Sequence, residues 1–451
     1  MQKRVSAQPK QWTSGLTFVM VTSGATIGLA NFWKFPYVAA SHGGGLFIAA
    51  YILCLLLVGV PMMAAEIVFG RATRKSLVGA VSSTISVSHT LPVWKLLPLL
   101  SLIAAIAILS LYLVVGGMSL AYIFHFALGD FVSASSDKVA GVLTSLQKDS
   151  WISTSWMLLF LVLVASVSSK GIVRGLQRAF RLLMPLFLVL LIGLFWHSYQ
   201  LDSFLTGFYA LFGEGAGLPV SAWFEAISHA FFTLALGMGV MVSLGSYMPE
   251  SMPITRTVVL IGLVDVLIAL LAGLIVFPLL LSKGLTLTSG FGLLFHSLPL
   301  ALTGFGEEQF VGVVFFVAVS FAAWSSAIAV MEPLVAELSA ILWGNRRLAT
   351  FLVGTVAGSI AWAAILSFEG ENSMRFASYS FFSLIDLVIS KIVLPVTGVM
   401  IAFYVGWIVP RKIIEPGFGV RQPWQFDLWR ILLRWVSPVC VISVFLAYWL
   451  S

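Results

Sequence analysis

The sequence predicts an all-α integral membrane protein with about eleven spanning helices. Three observations carry that prediction: an extreme apolar composition, apolar stretches recurring at spanning length, and a one-sided distribution of positive charge. Hydrophobic residues make up 60% of 451 positions and charged residues 10%, with a mean hydropathy of +1.03. A soluble domain carries about 25% charged residues, so lipid must solvate much of this chain. A bilayer-crossing helix needs about 20 mostly apolar residues. Such stretches fall at roughly 12–37, 43–69, 92–128, 152–169, 179–199, 221–248, 255–281, 308–341, 349–368, 378–409 and 430–450. They take up most of the chain, which leaves no soluble domain and makes 1–451 one transmembrane domain. The opening Met1–Trp12 segment is short and basic, and the apolar run after it is rich in glycine and polar residues. It reads as a first spanning helix and not as a cleaved signal.

The net charge of +7 follows from topology, not from nucleic acid. With a cytoplasmic N-terminus and alternating spans, 19 of 25 Lys and Arg fall inside, among them Arg71, Arg74, Lys75, Arg174, Arg178, Arg181, Arg346, Arg347, Arg411 and Lys412. Lys138, Lys148, Lys283 and Arg375 fall outside, and Lys34 and Lys391 within spans. This is the positive-inside bias, and eleven spans then leave the C-terminus outside. Cys54 and Cys440 both sit in apolar segments and build neither a disulfide framework nor a metal site.

The longer connections, near 129–150, 199–219 and 282–307, lie on the outer face. Gly290–Pro299 is apolar yet follows a charged break at Lys283, so it reads as a folded outer loop, a candidate lid. Two spans are unusual. The first contains Thr22–Asn31, polar and glycine-rich at membrane depth, and the sixth contains Phe231–Val240 with two glycines close together. Glycine costs a helix interior about 1 kcal/mol relative to alanine. Non-helical backbone survives in a bilayer only where it lines a cavity, and paired breaks in two halves mark transporter binding sites. The first and sixth spans are five apart, as a five-plus-five inverted repeat requires, although glycines also serve close helix packing.

Five motifs, in order along the chain, carry a resemblance. Gly24–Tyr37 with His42–Gly45 resembles the first-helix signature of the neurotransmitter:sodium symporter family. Pro61–Arg71 resembles its second helix, Ser110–Gly117 its third, Phe231–Gly239 its sixth and Ser325–Pro333 its eighth. The resemblance implies a LeuT-type fold with broken helices 1 and 6, repeats at about 12–199 and 221–409, and an extra helix at about 430–450. Eleven spans are common among prokaryotic members, which implies a multi-pass protein of the cell (inner) membrane. The implied activity is sodium-coupled symport of a small amino acid by alternating access, with sodium at two sites and no organic cofactor.

By resemblance, one sodium site uses backbone carbonyls of Gly24, Ile27 and Ala322 with the hydroxyls of Ser325 and Ser326. In isolation, those two serines read rather as back-bonding to the preceding turn, and the resemblance reverses that preference. The other site uses the Thr26 carbonyl, the side chains of Asn31, Thr233 and Asp265, and the substrate's carboxylate. Asp265 stands out without any resemblance, being mid-span with no Lys or Arg along its helix. A mid-bilayer Asp costs roughly 2.5–3.5 kcal/mol on insertion scales and faces a partner or cavity; a protonated, hydrogen-bonded carboxyl is the alternative. Chloride-dependent members carry Asn here and Ser one turn later, where this chain has Asp265 and Ala269. A fixed carboxylate in place of chloride implies chloride-independent transport. His229 stands where the family has Gln. It is expected either to partner Asp265 and make transport pH-sensitive, or to serve as a neutral polar substitute.

Helix N-termini suit a carboxylate, and the resemblance implies one held by N–H groups around Leu29 and Ala30 and by the Tyr112 hydroxyl. Monoamine carriers have Asp at the position of Gly28, so glycine there favours an amino acid. The implied substrate site comprises Ala25, Thr26, Leu29, Ala30, Ile108, Tyr112, Phe232, Thr233, Ala235, Met238, Ser326, Ala327 and Val330, whose apolar members suit a hydrophobic side chain. Ala30 replaces the usual glycine and reshapes the pocket, and Met238 is pliable.

Lys34 and Asp386 match the outer charged gate, with Lys for the usual Arg and so without bidentate geometry. At the inner gate Trp12 fits, but Pro9 with Lys10 beside it replaces the expected arginine, and Ala340 replaces its acidic partner. Gly175 and Pro185 keep the spacing that lets the fifth helix unwind toward the inner sodium path, and Lys391 reads as half of a structural ion pair. Metal-ligand clusters, nucleophile elbows and phosphate loops are lacking, which argues against an enzyme. A non-transporting amino-acid sensor and a proton-coupled carrier of the same fold are the alternatives. The serine pair speaks against the carrier. Oligomeric state is not readable from the sequence.

Overall fold

The architecture is a bundle of long apolar helices in which two crossings are interrupted. The computed structural model describes residues 11–213, 217–285, 290–304, 307–368, 375–376, 379–419 and 423–450, so Pro9 and Lys10 lie outside the described residues. The first crossing is two helices, α1 (Gly15–Thr26) and α2 (Ala30–Ser41), bent by 61° at the break. There follow α3 (Gly45–Thr73), α4 (Pro92–Ala127), α5 (Ser150–Ser168) and α6 (Ile172–Tyr199). The short helices α7 (Val220–Thr233) and α8 (Val240–Ser246) come next. The bundle closes with α9 (Ile254–Ser282), α10 (Gln309–Ile341), α11 (Arg346–Leu366), α12 (Phe381–Ile408) and α13 (Pro423–Ala447).

Among the described residues, nine helices are long and apolar enough to cross a bilayer, and the bent α1/α2 pair makes a tenth. At 14 and 7 residues, α7 and α8 are each too short to cross alone. The count of eleven is reached when they are taken as one interrupted crossing. Short helices at Leu77–Ser88, Ser136–Lys148, Phe204–Phe212 and Arg411–Phe418 and a two-residue strand pair fill the connections.

Two boundaries differ from those read from hydropathy, for the same reason. The fifth helix starts at Ile172 and not near 179, because Arg174 and Arg178 lower the hydropathy of a first turn that is helical all the same. The last starts at Pro423 and not near 430. Gln425 and Asp427 lower the hydropathy of its first turns, and further along Arg430 and Arg434 donate to the Gly406 carbonyl at 3.2 and 2.7 Å.

Burial ranks the layers. In its most apolar stretch α10 buries 72% of residues and α13 only 22%, which puts α10 at the centre and α13 against lipid. The apolar outer loop folds into Leu293–Ser297 and Leu298–Ala301, with Leu293, Leu294, Phe295 and Leu298 buried. Tyr122 of α4 fastens it, donating to the Phe295 carbonyl at 2.5 Å and stacking on Phe316 of α10.

Helices in lipid associate through close packing of small residues, and α3 meets α8 in this way. A β-carbon on Gly70 would lie 2.0 Å from the Val242 carbonyl oxygen, and one on Gly245 would lie 2.5 Å from that of Ile67. Both obstacles are backbone, which cannot rotate away. Gly70→Ala should therefore destabilise the detergent-solubilised protein by at least the roughly 1–3 kcal/mol of an overpacked core. Gly141→Ala, with nothing within 4 Å, should be neutral or mildly stabilising. Thermal unfolding of the two variants checks this, and equal midpoints would refute the packing account.

Candidate functional site

The two breaks are built differently. In the first, Ile27 is extended (φ −71°, ψ 95°), which ends α1. Helix geometry resumes with Asn31 N–H donating to Gly28 O at 3.2 Å and Phe32 N–H to Leu29 O at 2.9 Å. The N–H groups of Leu29 and Ala30 have no backbone acceptor. They form the open, partly positive start of α2. In the second break, Ala235, Gly237 and Gly239 are all left-handed (φ 52°, 81° and 73°). Glycine adopts that conformation freely, whereas for alanine it costs roughly 1–2 kcal/mol. The fully buried Glu66 of α3 holds this turn by accepting the Gly237 N–H at 2.8 Å. Glu66 falls within the Pro61–Arg71 motif, where the sequence alone gives it no role.

Oxygens gather on both sides of the first break. On one side, Ser326 of α10 donates to the Ile27 carbonyl at 3.1 Å, and Ser325 donates back to Ala322 O at 3.0 Å. Both serines and Ala322 are buried. Gly24, one turn earlier, packs so tightly on α6 that a β-carbon would lie 2.4 Å from the Phe180 ring and 2.7 Å from Met184.

On the other side stands Asp265, fully buried mid-way along α9. The Thr233 hydroxyl lies 3.0 and 2.9 Å from its two oxygens and 3.4 Å from Asn31 Oδ1. Asn31 Nδ2 donates to Oδ1 at 3.3 Å and Tyr51 OH to Oδ2 at 3.0 Å. All of these donors are neutral, and no cationic side chain forms an ion pair with Asp265 among the described residues. Desolvating a carboxylate costs several kcal/mol unless it is compensated. A cation held by Asn31 Oδ1, Thr233 Oγ1 and Asp265 would supply the missing charge, and oxygens of this kind suit a hard one.

His229 does not partner Asp265. Its ring lies between Tyr51 and Phe35, centroids 5.1 and 5.5 Å away, and neither nitrogen has a hydrogen-bond partner. Tyr51 takes the place at the carboxylate that the sequence reading offered to the histidine. Thr233, one turn along α7, already fills the remaining side. Nothing in the sequence distinguishes Tyr51 from core, since an aromatic in an apolar run usually packs.

The outer charged pair also differs. Lys34 Nζ lies 3.9 Å from Glu225 Oε2 and 5.9 Å above the Phe232 ring, while Asp386 accepts from Ser390 OH at 3.0 Å. A lysine reaches one point charge at a time, and here Glu225 is the nearer carboxylate. Glu225 was legible as the acid one turn before His229 on α7.

Between these groups stand the residues expected to meet the substrate. A β-carbon on Gly28 would stand 2.7 Å from Tyr112 OH and 3.5 Å from Ser326 Oγ, so the hydroxyl of α4 reaches the break itself. Ile108 lies one turn from Tyr112, and Val330 one turn from Ser326. Ala25, Thr26, Leu29, Ala30, Ala235, Met238 and Ala327 are buried, and only Tyr112 and Phe232 of the set keep appreciable accessible surface.

The other end is closed by hydrogen bonds. Trp12 is buried and donates from Nε1 to Leu244 O and from its backbone to Tyr247 O, at 3.2 and 3.1 Å. Gln177 and Arg181 of α6 donate to Thr13 Oγ1 at 2.6 and 2.7 Å. Glu332, buried in α10, is paired with Arg346, which also donates to Ser168 O at 2.8 Å. These contacts stand where the sequence lacks the expected charged latch at Ala340.

Comparison with known proteins agrees with this geometry. The sequence model of the sodium:neurotransmitter symporter family matches residues 9–135 and 135–450. The sodium-dependent transporter YhdH of Bacillus subtilis is 31% identical, covering 97% of both chains. A sodium-dependent transporter of Methanocaldococcus jannaschii is 29% identical over 96% of this chain and 89% of its own. The crystal structure of MhsT in complex with L-phenylalanine matches with a TM-score of 0.86 at 30% identity, over 97% of this chain and 99% of that one. The chain belongs to the sodium:neurotransmitter symporter family, as a sodium-coupled membrane transporter of LeuT-type fold and not an enzyme.

Proposed function

We propose that this protein carries a small hydrophobic amino acid inward with sodium, by alternating access and without chloride. The observation that carries this reading is Asp265, buried among three neutral donors beside a broken helix and lacking a positive partner. A sodium ion held by Asp265, Asn31, Thr233 and the Thr26 carbonyl neutralises it. A second ion takes the carbonyls of Gly24, Ile27 and Ala322 with Ser325 and Ser326. The substrate's carboxylate meets the free N–H groups of Leu29 and Ala30 and the Tyr112 hydroxyl, and completes the first ion's shell. Ion and substrate thus each lower the cost of the other's burial. The phenylalanine bound by MhsT and the apolar lining of Ile108, Phe232, Met238 and Val330 support a hydrophobic side chain.

Alternating access follows from the two closures. Lys34 leaves Glu225 for Asp386 as Phe232 and Tyr112 close over the substrate. Below, Thr13 parts from Gln177 and Arg181, and α6 loosens between Gly175 and Pro185. Because Phe180 and Met184 cover Gly24, loosening α6 uncovers the second ion to the inner side. The repeats at about 12–199 and 221–409 move against each other around the broken helices. The positive-inside charge bias supports a cytoplasmic N-terminus and an outer C-terminus in the cell (inner) membrane.

Radiolabelled uptake of the twenty amino acids into proteoliposomes, with and without an inward sodium gradient, tests the reading. Accumulation of a hydrophobic amino acid only with the gradient is expected. Accumulation without sodium would refute the coupling, and sodium-dependent binding without accumulation would identify a sensor.

Asp265→Asn should abolish chloride-free uptake or make uptake chloride-dependent; unchanged chloride-free uptake would refute the compensating role. Gly28→Asp should abolish amino-acid binding, since even its β-carbon would lie within 2.7 Å of Tyr112 OH. Retained affinity in scintillation proximity binding would count against a carboxylate at this break. Gln177→Ala removes a hydrogen bond worth roughly 0.5–1.5 kcal/mol net. It should therefore shift the protein toward inward-open, read as a several-fold gain in alkylation of a cysteine placed at Ser23, which is buried beside the break.

A further inference from the structure

A second cavity, of about 600 Å³, lies at the Lys/Arg-rich end of the bundle among α5, α6 and α11, far along the chain from the residues of the broken helices. Four cations line it: Lys170, Arg174, Arg178 and Arg347. All four are exposed, and none forms an ion pair among the described residues. The sequence offers no neighbour to balance them, since no Asp or Glu occurs between Asp149 and Asp202. The adjacent Arg346 is different, being bound to Glu332 and to Ser168 O, where it fixes the wall of the cavity. Four like charges around one concavity repel each other unless an anion sits between them. The volume suits a bound molecule and not a single inorganic ion.

The surface next to the cations says which anion. Residues four apart share a helix face. One turn deeper than Arg178 on α6 is Leu182, 69% exposed, and one turn deeper than Arg347 on α11 is Phe351, 67% exposed. A polyanionic head over exposed apolar side chains matches a lipid in the plane of the membrane, whereas a soluble phosphate would use the cations alone. Basic pockets between helices at the positive end of a membrane protein bind acidic headgroups for this reason.

We infer that this cavity is a binding site for the phosphate headgroup of an acidic bilayer phospholipid, its acyl chains lying along Leu182 and Phe351. The same wall contains Gly175, at the first turn of α6. A bound headgroup therefore braces the turn whose helix covers Gly24 through Phe180 and Met184.

Native mass spectrometry of the full-length protein released from nanodiscs tests the site without requiring transport, so its failure is distinct from failure of the sodium reading. Phosphatidylglycerol and cardiolipin adducts are expected on the wild type, with no phosphatidylcholine adduct. Arg174→Gln/Arg178→Gln/Arg347→Gln should weaken retention about fivefold per cation removed, roughly a hundredfold in all. Lys75→Gln/Lys95→Gln/Lys412→Gln, which removes the same charge at the same end of the bundle, should keep the adducts. Millimolar inorganic phosphate should not displace them, and hydrogen exchange over 172–180 should slow in phosphatidylglycerol relative to phosphatidylcholine. Equal loss in both triple variants would reduce the effect to general surface charge and overturn the site. Displacement by inorganic phosphate would make it a soluble-anion site and overturn the lipid.

Discussion

A bilayer offers no water to backbone that leaves a helix, and most of the functional architecture answers that constraint. Each break must find its hydrogen-bond partners inside the protein or in what the protein carries. The second break is answered by protein, since Glu66 takes the Gly237 N–H and Gly237 and Gly239 adopt the left-handed turn without strain. The first is answered only in part. Ser326 takes up the Ile27 carbonyl, but the N–H groups of Leu29 and Ala30 have no backbone acceptor. Among the described residues one break is closed by its own fold, whereas the other keeps two N–H groups without a backbone acceptor.

Among the described residues, the three fully buried carboxylates show a similar division. Glu332 has a guanidinium, and Glu66 has the backbone of a turn. Both are structural solutions to burying charge, and breaking either pair would leave an uncompensated group. Asp265 has a phenol, an amide and a hydroxyl. Such donors orient a carboxylate without neutralising it. Among the described residues neither Glu66 nor Asp265 has a cationic partner; what sets Asp265 apart is that its neighbours are the side chains of Asn31 and Thr233 beside the first break, and not the backbone of a turn.

Spans and breaks were legible in the sequence because each rests on a local property. Hydropathy over some twenty residues marks a lipid-solvated helix, and glycines at membrane depth mark where one can break. The errors arose where a property was not local. Arg174 and Arg178 hid the start of one helix, and Gln425 and Asp427 that of another, because hydropathy counts a polar or charged side chain against a span even where the backbone is helical. Of the two readings of His229 the pairing with Asp265 does not hold, and Lys34 lies nearer Glu225 than the sequence indicates, because spacing along one helix fixes a face but not which of several acceptors on other helices lies nearer. Tyr51 was missed since its role depends on one oxygen at the end of a ring that otherwise packs as core.

The six residues from Gly24 to Leu29 connect parts that the sequence lists separately. Gly24 lies under Phe180 and Met184 of α6, Ile27 is bonded by Ser326 of α10, and Gly28 faces Tyr112 of α4. Two of these positions are glycines on which a β-carbon would meet a side chain at under 3.0 Å, so the approach is as close as the chain allows. A change at any of the three neighbours is therefore felt at the same short stretch, the last turn of α1 and the break that follows it. In the proposed cycle a substrate near Tyr112, an ion at Ser326 and a loosened α6 would all act on this one stretch. Coupling between ion, substrate and inner path would then need no long-range relay, because three helices meet the chain within six residues.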